Sequence, residues 1–178
     1  MRSTYSALVC VALLLPGCAA PAADETPAAP AAAADDPRAR FHGAWELASI
    51  VRYSGDGEEQ SRNETSTGFI IYAPPGYMGV VIQGADRQPY AGERATSEEM
   101  VAAYRSYTSY SGGYTVDPEA GTVTHHLRAS LNPGGAGSDY VRQYSFGEGE
   151  FGEETLTLQP PAGADGGVVK LTWKRISE

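Results

Sequence analysis

Between Tyr114 and Leu131 apolar and polar side chains alternate with a period of two, interrupted once by Asp117-Pro118-Glu119-Ala120-Gly121. Successive side chains of a strand point to opposite faces, so this pattern predicts two strands, 114–117 and 122–131, joined as a hairpin. Proline presets φ for an early turn position, and Gly121 supplies the left-handed conformation that closes a short loop. In the second strand Val123, His125, Leu127, Ala129 and Leu131 fall on one face, and Thr122, Thr124, His126, Arg128 and Ser130 on the other. The first face is apolar except for one imidazole. His125 is therefore expected to point into the enclosed side of a sheet, and His126 into solvent.

The same reading extends along the chain. Residues 45–53 alternate Trp45, Leu47, Ser49, Val51 and Tyr53 against Glu46, Ala48, Ile50 and Arg52, and Ser54-Gly55-Asp56-Gly57 turns them into a polar return, 58–62. Strands 69–72 and 77–83 flank the turn Ala73-Pro74-Pro75-Gly76, and 140–146, 155–159 and 168–176 follow between glycine-rich and acidic loops. Tyr140, Arg142, Tyr144 and Phe146 share one face of their strand. Eight or nine short antiparallel strands in meander order predict an all-β fold, a closed up-and-down barrel or a sandwich. One helix interrupts them. Thr96-Ser97-Glu98-Glu99 is a capping box, and Met100, Ala103/Tyr104, Tyr107 and Ser111 then recur three or four apart until Gly112-Gly113. That stripe is expected to pack on the sheet as a lid or a side brace.

The first residues break the pattern. Residues 1–17 combine Arg2 with the apolar stretch 7–15, too short to span a bilayer, and read as an export signal. Leu15-Pro16-Gly17-Cys18 resembles the lipobox of bacterial lipoproteins, which implies acylation of Cys18 and cleavage before it. Ordinary cleavage within Cys18-Ala19-Ala20-Pro21-Ala22-Ala23 is the competing reading. Residues 18–37, mostly alanine and proline, cannot bury a core and are expected to be a semi-stiff tether, with the folded domain at 38–178. Cys10 leaves with the signal, so no disulfide is expected to staple the domain. The chain has 13 basic and 22 acidic residues, net −9, and loss of 1–17 removes Arg2 alone among these, giving −10. Such a surface argues against nucleic acid and against electrostatic adhesion to anionic lipid. Membrane attachment would rest on the acyl chains, with outer-membrane or cell-surface display favoured because no acid directly follows Cys18.

Candidate chemistry is sparse. His125 is the one candidate base, with Tyr140, Arg142 and Tyr144 on the neighbouring strand as its prospective partners. The plainer reading is a buried histidine satisfied by tyrosines and backbone. An interior Arg142 suits a ligand carboxylate, because a planar guanidinium matches that group. Tyr104 and Tyr107, with Tyr110 and Tyr114, are candidate aromatic lining, or simply a packing stripe. His125 and His126 are adjacent and face opposite ways, so no metal site is expected, and no cofactor motif is present.

Gly43-Ala44-Trp45-Glu46-Leu47-Ala48-Ser49 resembles the G-x-W-x-L-x-S opening of a bacterial and fungal lipocalin-like domain family. The resemblance continues through Gly68-Phe69-Ile70-Ile71-Tyr72, Gly76-Tyr77-Met78, the capped helix with Tyr104 and Tyr107, and Gly113-Tyr114-Thr115-Val116-Asp117. It runs on through Val123-Thr124-His125-His126 to Arg142-Gln143-Tyr144, covering residues 43–176. It implies a lipocalin-like β-barrel with an internal cavity, and names no activity. Asn132 to Ser138 departs from the family pattern, glycine standing where bulkier loop residues are usual. Gly43, Trp45 and Arg175 also look like the lipocalin plug, an arginine lying over an indole at the narrow end. The expected function is a membrane-tethered barrel that binds a small apolar, amphipathic or carboxylate-bearing molecule, with His125, Arg142, Tyr144, Tyr140, Tyr104 and Tyr107 as ligand-binding residues. The alternatives are a small barrel enzyme, an isomerase or cyclase using an interior His/Tyr pair, and a structural envelope lipoprotein with a filled barrel.

Overall fold

A computed structural model of the chain describes residues 36–176. The signal segment, Cys18 and the tether as far as residue 35 lie outside the described residues. Nine strands run in chain order: β1 Gly43–Tyr53, β2 Glu59–Asn63, β3 Thr67–Ala73, β4 Tyr77–Gln83, β5 Tyr107–Asp117, β6 Thr122–Ser130, β7 Asp139–Glu148, β8 Glu154–Gln159 and β9 Val168–Arg175. One helix, α1 Ser97–Arg105, lies between β4 and β5. From β3 to β9 each strand pairs antiparallel with the next, and β9 pairs back on β1, so eight strands close into a barrel. The ninth, β2, continues the line of β3: β1 pairs with β3 through Gly43–Glu46 and with β2 through Ile50–Tyr53. Closure removes all free edges but that of β2, whose five residues are polar and exposed.

The hairpin at 117–121 forms as its residues predict. Asp117 Oδ1 accepts the amides of Glu119 and Ala120, both at 3.0 Å, and Gly121 takes φ +64°. Two bulges modify the expected alternation. Ala48 is an extra residue opposite β9, where Leu47 pairs with Trp173 and Ser49 with Thr172. Beyond it Ile50 and Arg52, opposite Leu171 and Val169, take over the inward side from Trp45 and Leu47, with Arg52 exposed at the open end and Val51 buried on the other face. Arg128 is the extra residue on β6, since Leu127 pairs with Gly112 and Ala129 with Ser111. Val123, His125 and Leu127 therefore face inward as expected, but Ala129 and Leu131 are exposed. A bulge shifts the register of every later residue on its strand by one face.

The helix differs most from expectation. The capping box is present, Thr96 Oγ1 accepting the Glu99 amide at 3.2 Å and Glu99 Oε2 accepting the Thr96 amide at 2.7 Å. The helix nevertheless stops at Arg105, and Tyr107 through Ser111 belong to β5. No residue of α1 is buried, and Met100, Val101 and Tyr104 are exposed. It is neither a packed lid nor a brace. A run that alternates Thr108, Tyr110 and Gly112 against neighbours on β4 gains a full ladder, and seven residue pairs with β4 outweigh two further helical turns.

Candidate functional site

The barrel interior has a filled end and an open end. At the filled end the chain before β1 folds under the barrel and inserts Phe41, fully buried, with its ring 4.9 Å from Tyr144, 5.0 Å from Phe146 and 5.3 Å from Tyr72 in edge-to-face contacts. Trp45 is fully buried beside it and donates from Nε1 to the Phe41 carbonyl at 2.8 Å. Arg175 lies with Cζ 4.0 Å from the centre of the Trp45 ring. Its fork is occupied by Glu154 Oε2 and by the carbonyls of His42 and Arg40, each at 2.7 Å. Gly43, at φ +123°, clears the Arg175 Nη1 that a Cβ would meet at 3.0 Å. This end is the expected plug, and it is structural.

The other end, where β1, β4, β6 and β8 finish, holds a cavity of about 230 Å³. Its wall is mainly aliphatic, including Ile50, Ile70, Val80, Ile82 and Leu158. The polar groups on that wall are few: Arg142, Tyr110, Arg52, Thr108 and the indole of Trp173. Arg142 is half-buried and donates from Nη1 to the Val141 carbonyl at 2.8 Å, while its guanidinium stands 5.0 Å from the Tyr140 ring centre and within reach of the Tyr110 hydroxyl. The ion pairs among the described residues include neither Arg142 nor Arg52.

His125 lies behind this wall. It is fully buried, with Tyr72 Oη 2.8 Å from Nε2 and Tyr110 Oη 3.2 Å from Nδ1. Burial, with a smaller contribution from the Arg142 charge, holds its pKa down at about 3, so the ring is neutral at ordinary pH. Burial likewise pushes the phenols of Tyr72 and Tyr110 upward, the Arg142 charge opposing it at both. His125 thus reaches the cavity only through Tyr110. A general base must reach a substrate proton directly or through one water, and here both imidazole nitrogens already face tyrosines. His126 is on the outer surface, with Nδ1 2.7 Å from Asp139 Oδ1 and Nε2 3.0 Å from Thr115 Oγ1.

The sequence-predicted site residues are therefore only partly brought together. Arg142 meets the cavity, and Tyr140 supports it from a half-buried position, its ring 5.5 Å from that of Tyr110. Tyr144 points inward but is packed in the aromatic cluster at the filled end. Tyr104 sits on the exposed helix, and Tyr107 faces outward with Arg87 over its ring at 5.2 Å, so neither joins the cavity. Tyr72, Arg52 and Trp173 were missed, while Tyr110, expected as aromatic lining or a packing stripe, does line the cavity. The spacing Thr108-x-Tyr110-x-Gly112 was the available signal for Tyr110, once these residues are read as strand.

A larger hollow, about 570 Å³, lies outside the barrel between α1 and residues 84–90. Two of its charged groups are already engaged: Arg87 Nη1 donates to the Ala103 carbonyl at 2.7 Å and Ser106 Oγ at 3.0 Å, and Glu99 accepts the Ala91 amide at 2.8 Å. No three His, Cys, Asp or Glu side chains converge among the described residues. A sequence model of a family described as a lipocalin-like domain matches residues 42–176. No curated protein matches the chain. Among solved structures, that of a redesigned β-barrel aligns over 76% of this chain and 91% of its own, at 16% identity and a TM-score of 0.36.

Proposed function

The chain belongs to the lipocalin-like domain family, and from that premise we propose that it is a binding protein which holds one small amphipathic molecule in the open end of its barrel, tethered to a membrane through an acylated Cys18. The observation that carries the binding reading is the contrast along the barrel axis. Well-packed interiors leave few voids larger than a water, and the filled end follows that rule with Phe41, Trp45 and Tyr72 in contact. The open end keeps about 230 Å³ between aliphatic walls. That is the liquid volume of roughly seven or eight waters at about 30 Å³ each. It is below the ~300–1,000 Å³ typical of drug-sized ligand sites. The occupant is accordingly a short chain or a single ring, with its polar end at Arg142.

Calorimetric titration with octanol and octanoate tests this reading. Ile82→Trp places an indole in the cavity and is expected to abolish binding of both, while the thermal midpoint stays close to that of the parent. Binding undiminished in the filled variant would place the site elsewhere.

A further inference from the structure

The hydrogen-bonding groups of the cavity have one polarity, and the buried His125 sets it. Tyr72, His125 and Tyr110 form a chain of two hydrogen bonds, at 2.8 Å and 3.2 Å. Two protonated phenols and one neutral imidazole bring three hydrogens to those two bonds, so one hydrogen must point out of the chain. There are two arrangements. If His125 carries its proton on Nε2, it donates to Tyr72, Tyr110 donates to Nδ1, and the surplus hydrogen is that of Tyr72. Tyr72 is 1% exposed, and its hydroxyl has no other partner among the described residues. If the proton is on Nδ1, Tyr72 donates to Nε2, Nδ1 donates to Tyr110, and the surplus hydrogen belongs to Tyr110, which lines the cavity. An orphaned donor in the core is disfavoured by enough to make the second arrangement dominant.

The remaining polar groups of the cavity are of the same kind. Trp173 lines it, and its Nε1–H is buried without a partner. Arg142 and Arg52 present only donors, Thr108 is a hydroxyl of either sense, and the lining contains no Asp, Glu, Asn or Gln. The protein as a whole carries net −9, so two guanidiniums on an apolar wall without an acid partner run against its general charge.

Resting on the binding reading above, we infer that His125 is a positioning residue which, as its Nδ1–H tautomer, aims the Tyr110 hydroxyl hydrogen into the cavity, and that the cavity takes a ligand with an acceptor-only polar end, a short-chain or single-ring carboxylate. Arg142 pairs with the carboxylate, Tyr110 donates a further hydrogen bond, and the aliphatic wall receives the apolar body. An amine is disfavoured because it would meet two guanidiniums and no carboxylate.

Two measurements decide it. In ¹⁵N-labelled protein without ligand, a long-range ¹H–¹⁵N correlation of His125 is expected to show Nδ1 protonated and Nε2 bare. A protonated Nε2 overturns the positioning role, whatever the binding results. Calorimetry with octanoate, octanol and octylamine then reads the ligand class. Octanoate is expected to bind at least tenfold more tightly than octanol, and octylamine more weakly than either. Arg142→Leu should bring octanoate down to the level of octanol with octanol unchanged, and Tyr110→Phe should narrow the ratio severalfold. Equal affinities for octanoate and octanol overturn the carboxylate class while leaving the binding reading intact. Failure of all three to bind overturns the binding reading and the ligand class with it.

Discussion

His125 gives the fold a pH dependence that can be isolated. Its pKa lies at about 3 in the folded protein and near the ordinary 6.5 when unfolded. Between those values the unfolded state binds more protons, so stability rises with pH there and is fully present above about 6.5. On acidification it is lost progressively towards pH 3, about 2 kcal/mol by pH 5 and on the order of 4 kcal/mol over the whole window. The expected result is a urea midpoint that falls between pH 6.5 and 5, a range above the lowered carboxyls of Asp36 and Glu154. In His125→Gln the fall over that range should be much smaller. An equal slope in both proteins would mean that the imidazole is not held neutral. Trp45 makes a simpler demand at the same scale: fully buried and hydrogen-bonded to Phe41, it should cost about 3–5 kcal/mol when truncated to alanine, measured by the same denaturation.

Single elements show where the sequence was legible and where it was not. Strand β4 was readable in full, because 77–83 is bounded by a proline-glycine turn on one side and by Gly84 on the other. The inward positions of Val123, His125 and Leu127 on β6, and of Arg142 and Tyr144 on β7, followed from alternation alone. The bulges at Ala48 and Arg128 did not, since nothing in either stretch marks an extra residue; the cause lies in the register of the partner strands. Arg52 was lost from the candidate site for that reason, and Tyr110 was read with a helical stripe because tyrosines spaced by three look helical until β4 offers its ladder. Gly112 carries the bulge on β6: a Cβ there would overlap the His126 carbonyl, too close for any real contact. Gly112→Ala is therefore expected to lower the denaturation midpoint sharply, by several kcal/mol, where Gly121→Ala meets open space and strains only its positive φ. The helix predicts the opposite behaviour. Tyr104→Ala removes an exposed ring from an element that buries nothing, so its effect on stability should stay within about 0.5 kcal/mol. A larger loss would mean that the helix packs on the barrel after all.

At the scale of the whole molecule, the acidic balance and the N-terminal segment have to be reconciled with a membrane. If residues 1–17 are removed, 22 acidic residues of the chain stand against 12 basic ones, a balance that disfavours adhesion to anionic lipid. No described helix is long and apolar enough to cross a bilayer. If acylation at Cys18 holds the protein at a membrane, two or more acyl chains are needed for stable anchoring. The Leu15-Pro16-Gly17-Cys18 resemblance supplies a place for them, and the alanine- and proline-rich composition of residues 18–37 is that expected of a tether. The domain opens with Asp36 through Phe41 folded under the filled end, and the cavity mouth lies at the opposite end of the barrel. Cys18→Ala should leave the barrel intact and move it to the soluble exported fraction, or leave it unprocessed, while octanoate affinity of the purified domain is unchanged. Metabolic labelling with a palmitate analogue reads the same event directly: incorporation in the parent and none in Cys18→Ala. A variant that remains membrane-bound and normally processed would refute acylation at Cys18, and the cavity and its carboxylate chemistry would then belong to a protein held at the membrane by other means, or not at all.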